Sequence, residues 1–385
     1  MVHEIHLALV SRQATPNITP ALDPDFRPRE VALLVSPDMI RQADALTEVL
    51  SAYGLKVSRW PIENAWDIEH VRDRVLDFLA GREGEAVALN ATGGTKPMSI
   101  AAYEAFRALE RPIFYVHPEK DRVVWLYPHG ESHDLGDRVK LPAFLQAHGA
   151  RLEKQGGNQG VSPARRELTN RLVNDVKCLA PALTTLNWAA AQAQKGLVSP
   201  PLNPAQRRNP LLLDLIGRFE EEGLLAWEGD GLRFPDEEAR AYVNGGWFED
   251  HVYGVIFGLR ARMQSKGRSI QDFGRHLQVS RRVGRELVRN ELDVAFLADN
   301  RLYIIECKTQ RFDNSAPGPG SRGAAALYKL DALKDLLGGL QGRAMLVTYQ
   351  VLPPVDRQRA RDLNIQVCSG AETSGLGKKI EAWVQ

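Results

Sequence analysis

The chain has 385 residues, with 49 basic and 48 acidic side chains and a net charge of +1; that length exceeds one compact core, so two or three domains are expected. Hydrophobic residues make up 44% and charged ones 25%, which excludes a largely disordered chain, while the charge balance excludes a uniformly basic nucleic-acid coat and leaves local patches open. No apolar run reaches the ~18–20 residues of a membrane span, the first residues carry no signal-peptide pattern, and the distant Cys178, Cys307 and Cys368 make neither a zinc spacing nor a disulfide framework, so a cytoplasmic protein is expected.

Strand and helix patterns alternate over the first part. Residues 2–11 and 30–36 read as strands, and 37–53 as a helix ending at Gly54. Then come a strand at 55–62, a helix at 67–80, a strand at 85–91, a helix at 97–109 and a strand at 112–117. This order predicts an α/β fold with a parallel sheet covered by helices, a Rossmann-like layout over 1–154. A short hairpin is expected at 122–127, and the Gly/Asn-rich 155–162 reads as a linker. Helices at 165–180, 184–195 and 209–222 with a small hairpin at 224–234 suggest a winged-helix-like connector over 163–243. From 244 onward the pattern is helix 247–263, strands 291–297 and 302–308, helix 324–337, strand 344–350, helix 354–363, strand 365–368 and helix 372–383.

The segment Asn90-Ala91-Thr92-Gly93-Gly94-Thr95-Lys96-Pro97 joins a strand to a helix. Its glycines admit close backbone approach, and free N–H groups at a helix start favour an anion. The spacing is neither GxGxxG nor GxxxxGK[ST], so no dinucleotide fingerprint or P-loop is present. In a Rossmann-like order the polar stretch Ser11-Arg12-Gln13-Ala14-Thr15-Pro16-Asn17 flanks the same switch point, which suggests a phosphate- or nucleotide-containing ligand. The alternative is a tight turn capped by Thr92 or Thr95.

The loop core Thr92-Gly93-Gly94-Thr95-Lys96 resembles that of CARF, the CRISPR-associated Rossmann fold. The resemblance covers about the first third of the chain. It implies a homodimer whose paired crevices bind a cyclic oligoadenylate, with cyclic tetra-adenylate the expected ring. It places Thr92, Gly93, Gly94, Thr95 and Lys96 at the ligand, with Ser11, Gln13, Thr15 and Asn17 opposite.

The strongest chemistry lies in Asn290-Glu291-Leu292-Asp293-Val294 and Ile305-Glu306-Cys307-Lys308. A two-residue turn at Asp299 and Asn300 sets a register that opposes Asp293 to Glu306 and Glu291 to Lys308. Strict alternation then points all four side chains one way, with Leu292 and Val294 on the other face. Opposed Cβ atoms lie ~4.5–5.5 Å apart, so two facing carboxylates repel unless a divalent cation sits between them. Hard oxygens suit Mg²⁺ or Mn²⁺, and Lys308 is placed to orient and help deprotonate a water. Asp293, Glu306 and Cys307 form the expected metal set. Glu291 is either a further ligand or a partner of Lys308. The alternative is a plain salt bridge between Glu291 and Lys308.

An acid on one strand followed by E-x-K on the next resembles the PD-(D/E)xK nuclease superfamily, matched here by Asp293, Glu306 and Lys308. The superfamily often adds a helical glutamate, for which Glu249 is the candidate. The proline usual before the acid is absent. Arg275, His276, Arg281, Arg282, Arg285 and Arg289 are expected to meet phosphates of a DNA or RNA substrate. The long loop 309–323 is either a lid or a connection.

Together these features resemble the CARF-nuclease effectors of type III CRISPR systems. They imply a restriction-endonuclease-like α/β domain at 244–385 switched on by cyclic oligoadenylate. Two rivals stand beside this reading: a restriction- or repair-type nuclease regulated otherwise, and a ligand-responsive transcription regulator with an inactive nuclease fold.

Overall fold

A computed structural model describes residues 4–156, 162–265, 269–312 and 321–384. The first sheet collects β1 (Ile5–Leu9), β2 (Glu30–Val35), β3 (Lys56–Pro61), β4 (Val87–Asn90), β5 (Ile113–His117), β6 (Arg122–Tyr127) and β7 (His133–Asp134) in the order β3-β2-β1-β4-β5-β6-β7. The first five strands are parallel and the last two antiparallel. Helices α1 (Thr15–Leu22), α2 (Ile40–Ala52) and α5 (Leu141–Ala147) cover one face, and α3 (Ile68–Ala80) and α4 (Lys96–Ala108) the other. Both faces are therefore buried, which is why β1 and β2 read as unbroken apolar runs.

Three expectations are corrected here. Residues 122–127 are not a hairpin of their own. They form one strand that folds back on β5, from Ile113↔Tyr127 to His117↔Arg122. Residues 15–17, expected as part of the polar stretch beyond the first strand, open the helix α1 despite Pro16 and Pro20, because Ile18, Ala21 and Leu22 are buried against the sheet. The helices expected at 165–180 and 184–195 are one helix, α6 (Pro163–Gln192), running through Pro181. Proline there forfeits one backbone bond, and burial of Leu172, Val176, Leu179, Leu183 and Leu186 outweighs it. α7 (Pro210–Glu221) and the hairpin of β9 (Ala226–Glu228) and β10 (Gly231–Arg233) complete the connector.

The second sheet joins β8 (Arg151–Lys154), β11 (Ile270–Val283), β12 (Glu286–Ala298), β13 (Arg301–Lys308), β14 (Arg343–Thr348) and β15 (Ile365–Ser369) in the order β15-β14-β13-β12-β11-β8. After the short α8 (Glu237–Ala241), α9 (Trp247–Gln264) and α12 (Leu376–Trp383) pack on one face, and α10 (Arg322–Gly338) and α11 (Pro354–Asp362) on the other. β8, which precedes the connector, is thus an edge strand of the later sheet. One hydrophobic core runs from α1, α2 and α5 of the first layer to Leu277, Leu292, Leu297, Leu302 and Ile304 of the second sheet and to α10. The two sheets therefore share packed side chains rather than a wet interface. Of the loop 309–323, residues 313–320 lie outside the described residues, as do 157–161 of the linker. Among the described residues no helix is long and apolar enough to cross a membrane.

Where the two sheets meet, Asn300 Nδ2 donates to Asp121 Oδ2 at 2.6 Å. Burial holds the Asp121 carboxyl up at about 7, against the pull of that hydrogen bond and with repulsion from Asp137 and Asp299. Burial likewise lifts Asp137 to about 6. An acid with a raised folded pKa binds protons more readily when folded. Stability is then greatest at low pH and falls as pH rises from the unfolded value, about 4, through the folded one. Asp121→Asn keeps an acceptor for Asn300 and is expected to raise the melting temperature near pH 8 and flatten its decline from about pH 5 upward. Scanning both proteins across that range checks this, and an unchanged slope contradicts it.

Candidate functional site

β12 and β13 pair in the expected register, from Ala298↔Arg301 at the turn to Val294↔Ile305. Asp299 and Asn300 both take positive φ, 47° and 52°, as a tight hairpin turn of right-twisting strands requires. Beyond Val294 and Ile305 the strands part. β12 continues along β11, and β13 along β14. The catalytic candidates sit in this fork. Asp293 Oδ2 accepts the backbone N–H of Cys307 at 2.7 Å, bridging the opening with a side chain. Glu306, 0% exposed, lies 2.6 Å from Lys308 Nζ and 3.1 Å from Lys329 Nζ. Lys308 Nζ is 3.9 Å from Asp293 Oδ2.

Electrostatics follow from this crowding. Burial pushes the Asp293 carboxyl well above its ordinary range, and the charges of Glu306 and Glu249 push it further. Burial works against the Lys308 ammonium, yet Asp293 and Glu306 hold it above its ordinary value. Glu249 opens α9 and its Oε2 lies 3.0 Å from His276 Nδ1. That hydrogen bond raises the imidazole pKa. Arg275 is spent on Asp250 and lies over the Tyr253 ring.

The strands do not keep strict alternation. His276 takes a left-handed φ of 47° opposite Asp293, and the ladder skips from Arg275↔Val294 to Leu277↔Leu292. Phe273 and Val294 belong to one core, Leu277 and Leu292 to the other. Leu292 therefore does not share a face with Val294 as the alternation predicted. Glu291 lies exposed opposite Gln278, away from Lys308, which turns to Glu306. The Cys307 side chain packs in the core beside α9. Its thiol is held protonated by burial and the neighbouring carboxylates, so only its backbone belongs to the site. Lys329, from α10, has no counterpart in the sequence reading. It stands on a leucine-rich helix with no motif around it. Arg282, Arg285 and Arg289 lie exposed on the outer part of the long β11–β12 hairpin, with Arg281 half-buried beside them.

Two carboxylates forced together under burial fit a hard divalent cation that keeps water and substrate oxygens as its other ligands. Among the described residues no three His, Cys, Asp or Glu side chains are grouped to hold a metal ion, so a cation here would rest on two carboxylates. An open set of this kind leaves coordination positions to a substrate.

The second site lies where the strand order reverses between β1 and β4. A Cβ on Gly93 would stand 2.0 Å from the carbonyl oxygen of Leu9, and Gly94 has φ +76°, so the loop admits only glycine at both. Thr95 caps α4 by accepting from Met98 N and donates to the Ala65 carbonyl. Thr92 accepts from Val116 N. A cavity of about 380 Å³ opens here, lined on one side by Ser11, Arg12, Gln13, Thr15, Thr92 and Gly94. Gly93, Thr95 and Asn17 serve beneath it as spacer, cap and buried brace, Asn17 Nδ2 donating to the Leu9 carbonyl. Lys96 is exposed at the start of α4. The turn reading describes this loop, and the cavity beside it leaves room for the expected ligand. Arg12 and the second domain's share of the wall were not singled out from sequence.

Comparison with known proteins identifies the two domains that carry these sites. Residues 5–144 match the Card1 CARF domain and residues 236–385 the Card1-like endonuclease domain. The crystal structure of protein VC1899 from Vibrio cholerae is similar at 30% identity and a TM-score of 0.86, over 99% of this chain and 97% of that one. Can2 from Sulfobacillus thermosulfidooxidans, solved with cyclic tetra-adenylate, is 26% identical with a TM-score of 0.81 over the whole of both chains. A type III CRISPR defence DNA nuclease activated by cyclic oligoadenylate shares the fold at 21% identity and a TM-score of 0.57, over 92% of this chain and 47% of that one. No curated protein matches significantly. On its two matched domains and its full-length likeness to VC1899, the chain belongs to the Card1-like family of CARF-domain endonucleases.

Proposed function

We propose that this nuclease is switched on by a cyclic oligoadenylate, with cyclic tetra-adenylate the best fit, and hydrolyses DNA or RNA phosphodiesters in type III CRISPR defence. The carrying observation is the fork, where Asp293, Glu306 and Lys308 converge at the open end of a hairpin with an apolar middle. Full-length likeness to Can2, a cyclic tetra-adenylate complex, supports the ligand. A cavity of about 380 Å³ lies at the small end of ligand sites and suits part of a ring. A four-nucleotide ring is compatible with a two-fold homodimer that joins two such crevices.

Asp293, Glu306 and the Cys307 backbone would hold Mg²⁺ or Mn²⁺, which supplies charge to the scissile phosphate and acidifies a water. Lys308, facing both carboxylates, is placed to hold the water and the phosphate in line and to help take the water's proton once a cation occupies the carboxylates. Lys329 shares Glu306 with Lys308 and positions that carboxylate from the opposite side. Glu249, tied to His276, adds negative charge at the fork's other wall. Glu291 is left outside the reacting set. Arg281, Arg282, Arg285 and Arg289 offer phosphate contacts along the β11–β12 hairpin.

Asp293→Asn keeps an acceptor for Cys307 N–H and removes a buried repulsive charge. It is expected to cut the cleavage rate by more than about 100-fold while raising the melting temperature of the metal-free protein. Loss of both activity and stability would instead mark a structural residue. Lys329→Met is expected to lower kcat about ten-fold and to raise the Mn²⁺ concentration needed for half-maximal rate; an unchanged metal dependence contradicts its positioning role. Titrating cleavage against cyclic and linear oligoadenylates separates this reading from a nuclease regulated otherwise, which would respond to neither.

A further inference from the structure

The crevice at β1 and β4 is not walled by the first domain alone. Its far side is made of Asp299, Asn300 and Arg301 from the β12–β13 turn, and of Leu340 and Gln341 from the segment capping α10. This wall is fastened to the first domain around its rim. Asn300 Nδ2 donates to Asp121, and Gln271 holds the Asn300 amide and backbone at 2.9 Å each. Arg301 Nη2 donates to the carbonyls of Pro118 and Glu119. Leu340 N donates to Gln13 Oε1 at 3.0 Å. After these contacts, Arg301 Nε and Gln341 Oε1 are left buried without a hydrogen-bond partner. They are one charged donor and one neutral acceptor, on two side chains that line the same cavity.

The two turns are also the near ends of the elements that build the catalytic fork. β13 runs from Arg301 to Glu306 and Lys308, ~17 Å to the buried glutamate at strand rise. α10 runs back from Gly338 to Lys329, whose ammonium touches Glu306, ~14 Å at helical rise. Both lie in the core shared by the two sheets, through Leu302 and Ile304 of the strand and Leu330, Leu333 and Leu337 of the helix. Packed elements of this kind move as units rather than bending continuously.

We propose that the nuclease domain reads the messenger directly, through Arg301 and Gln341 in the crevice wall, and that β13 and α10 carry this contact to Glu306, Lys308 and Lys329. The Arg301 guanidinium suits a phosphodiester oxygen, and the Gln341 side-chain amide, whose oxygen is buried and unpartnered at rest, suits an adenine edge once it turns into the cavity. The proposal rests on the cyclic-oligoadenylate reading above. A messenger that touches both domains binds the active arrangement more tightly than the resting one, which is the condition for it to shift the equilibrium.

Calorimetric titration of cyclic tetra-adenylate into the full-length protein tests this, paired with cleavage rates at saturating messenger. Arg301→Ala is expected to weaken binding about ten-fold or more, with Arg301→Lys recovering part of it. Gln341→Ala is expected to weaken binding several-fold, and both alanine variants to lower the activated rate. Because Arg301 also fastens the domains, melting curves without messenger are recorded; if Arg301→Ala melts early, Gln341→Ala decides. Wild-type affinity and activation in both alanine variants overturn the proposal. A wild-type protein that binds no cyclic oligoadenylate overturns the underlying reading as well, and that result is distinct from binding which the variants leave unchanged.

Discussion

The site depends on one backbone hydrogen bond that a side chain makes. Where β12 and β13 part, the carboxylate of Asp293 takes the N–H of Cys307, a group that would otherwise be stranded in the core. The fork can therefore open without leaving a donor unmet. Opening it brings Glu306 and Lys308 to the end of a hairpin whose paired middle, 294–297 against 302–305, is apolar. It also forces like charges together, Asp293 with Glu306 and Glu249. Lys308 and Lys329 offset that repulsion in part, and a hard cation between the carboxylates would offset the rest. A buried pair of acids is costly as structure and useful as a metal site.

The same hairpin explains how a sensor and a nuclease become one molecule. Its turn closes the candidate ligand crevice, its middle is packed in a core common to both sheets, and its open end holds the proposed metal site. The early strand β8, hydrogen-bonded at the edge of the second sheet, anchors the chain there as it leaves the first domain. Among the described residues, the crevice and the fork are joined by packed side chains of one core, which is the physical route by which one could influence the other.

Much of this was legible in the sequence because local chemistry fixed it. Asp299 and Asn300 tolerate left-handed φ, so the turn and its register followed directly. Gly93 and Gly94 marked a loop where side chains do not fit. The illegible features are long-range. Nothing near His276 announces the face switch that turns Glu291 outward, since it arises from the mating of β11 with β12. Lys329 reaches Glu306 only after α10 docks, and Pro181 was overruled by packing on both sides of α6. Cys307 read as a ligand from its place in the motif, while its thiol belongs to the core.

The most direct test is a single cleavage experiment on single- and double-stranded DNA and RNA, crossing a Mg²⁺ or Mn²⁺ titration with the presence or absence of cyclic tetra-adenylate. The account predicts cleavage of at least one substrate only when metal and messenger are both present. Equal cleavage without messenger would contradict the sensor, and cleavage in the presence of a chelator would contradict the metal-dependent fork.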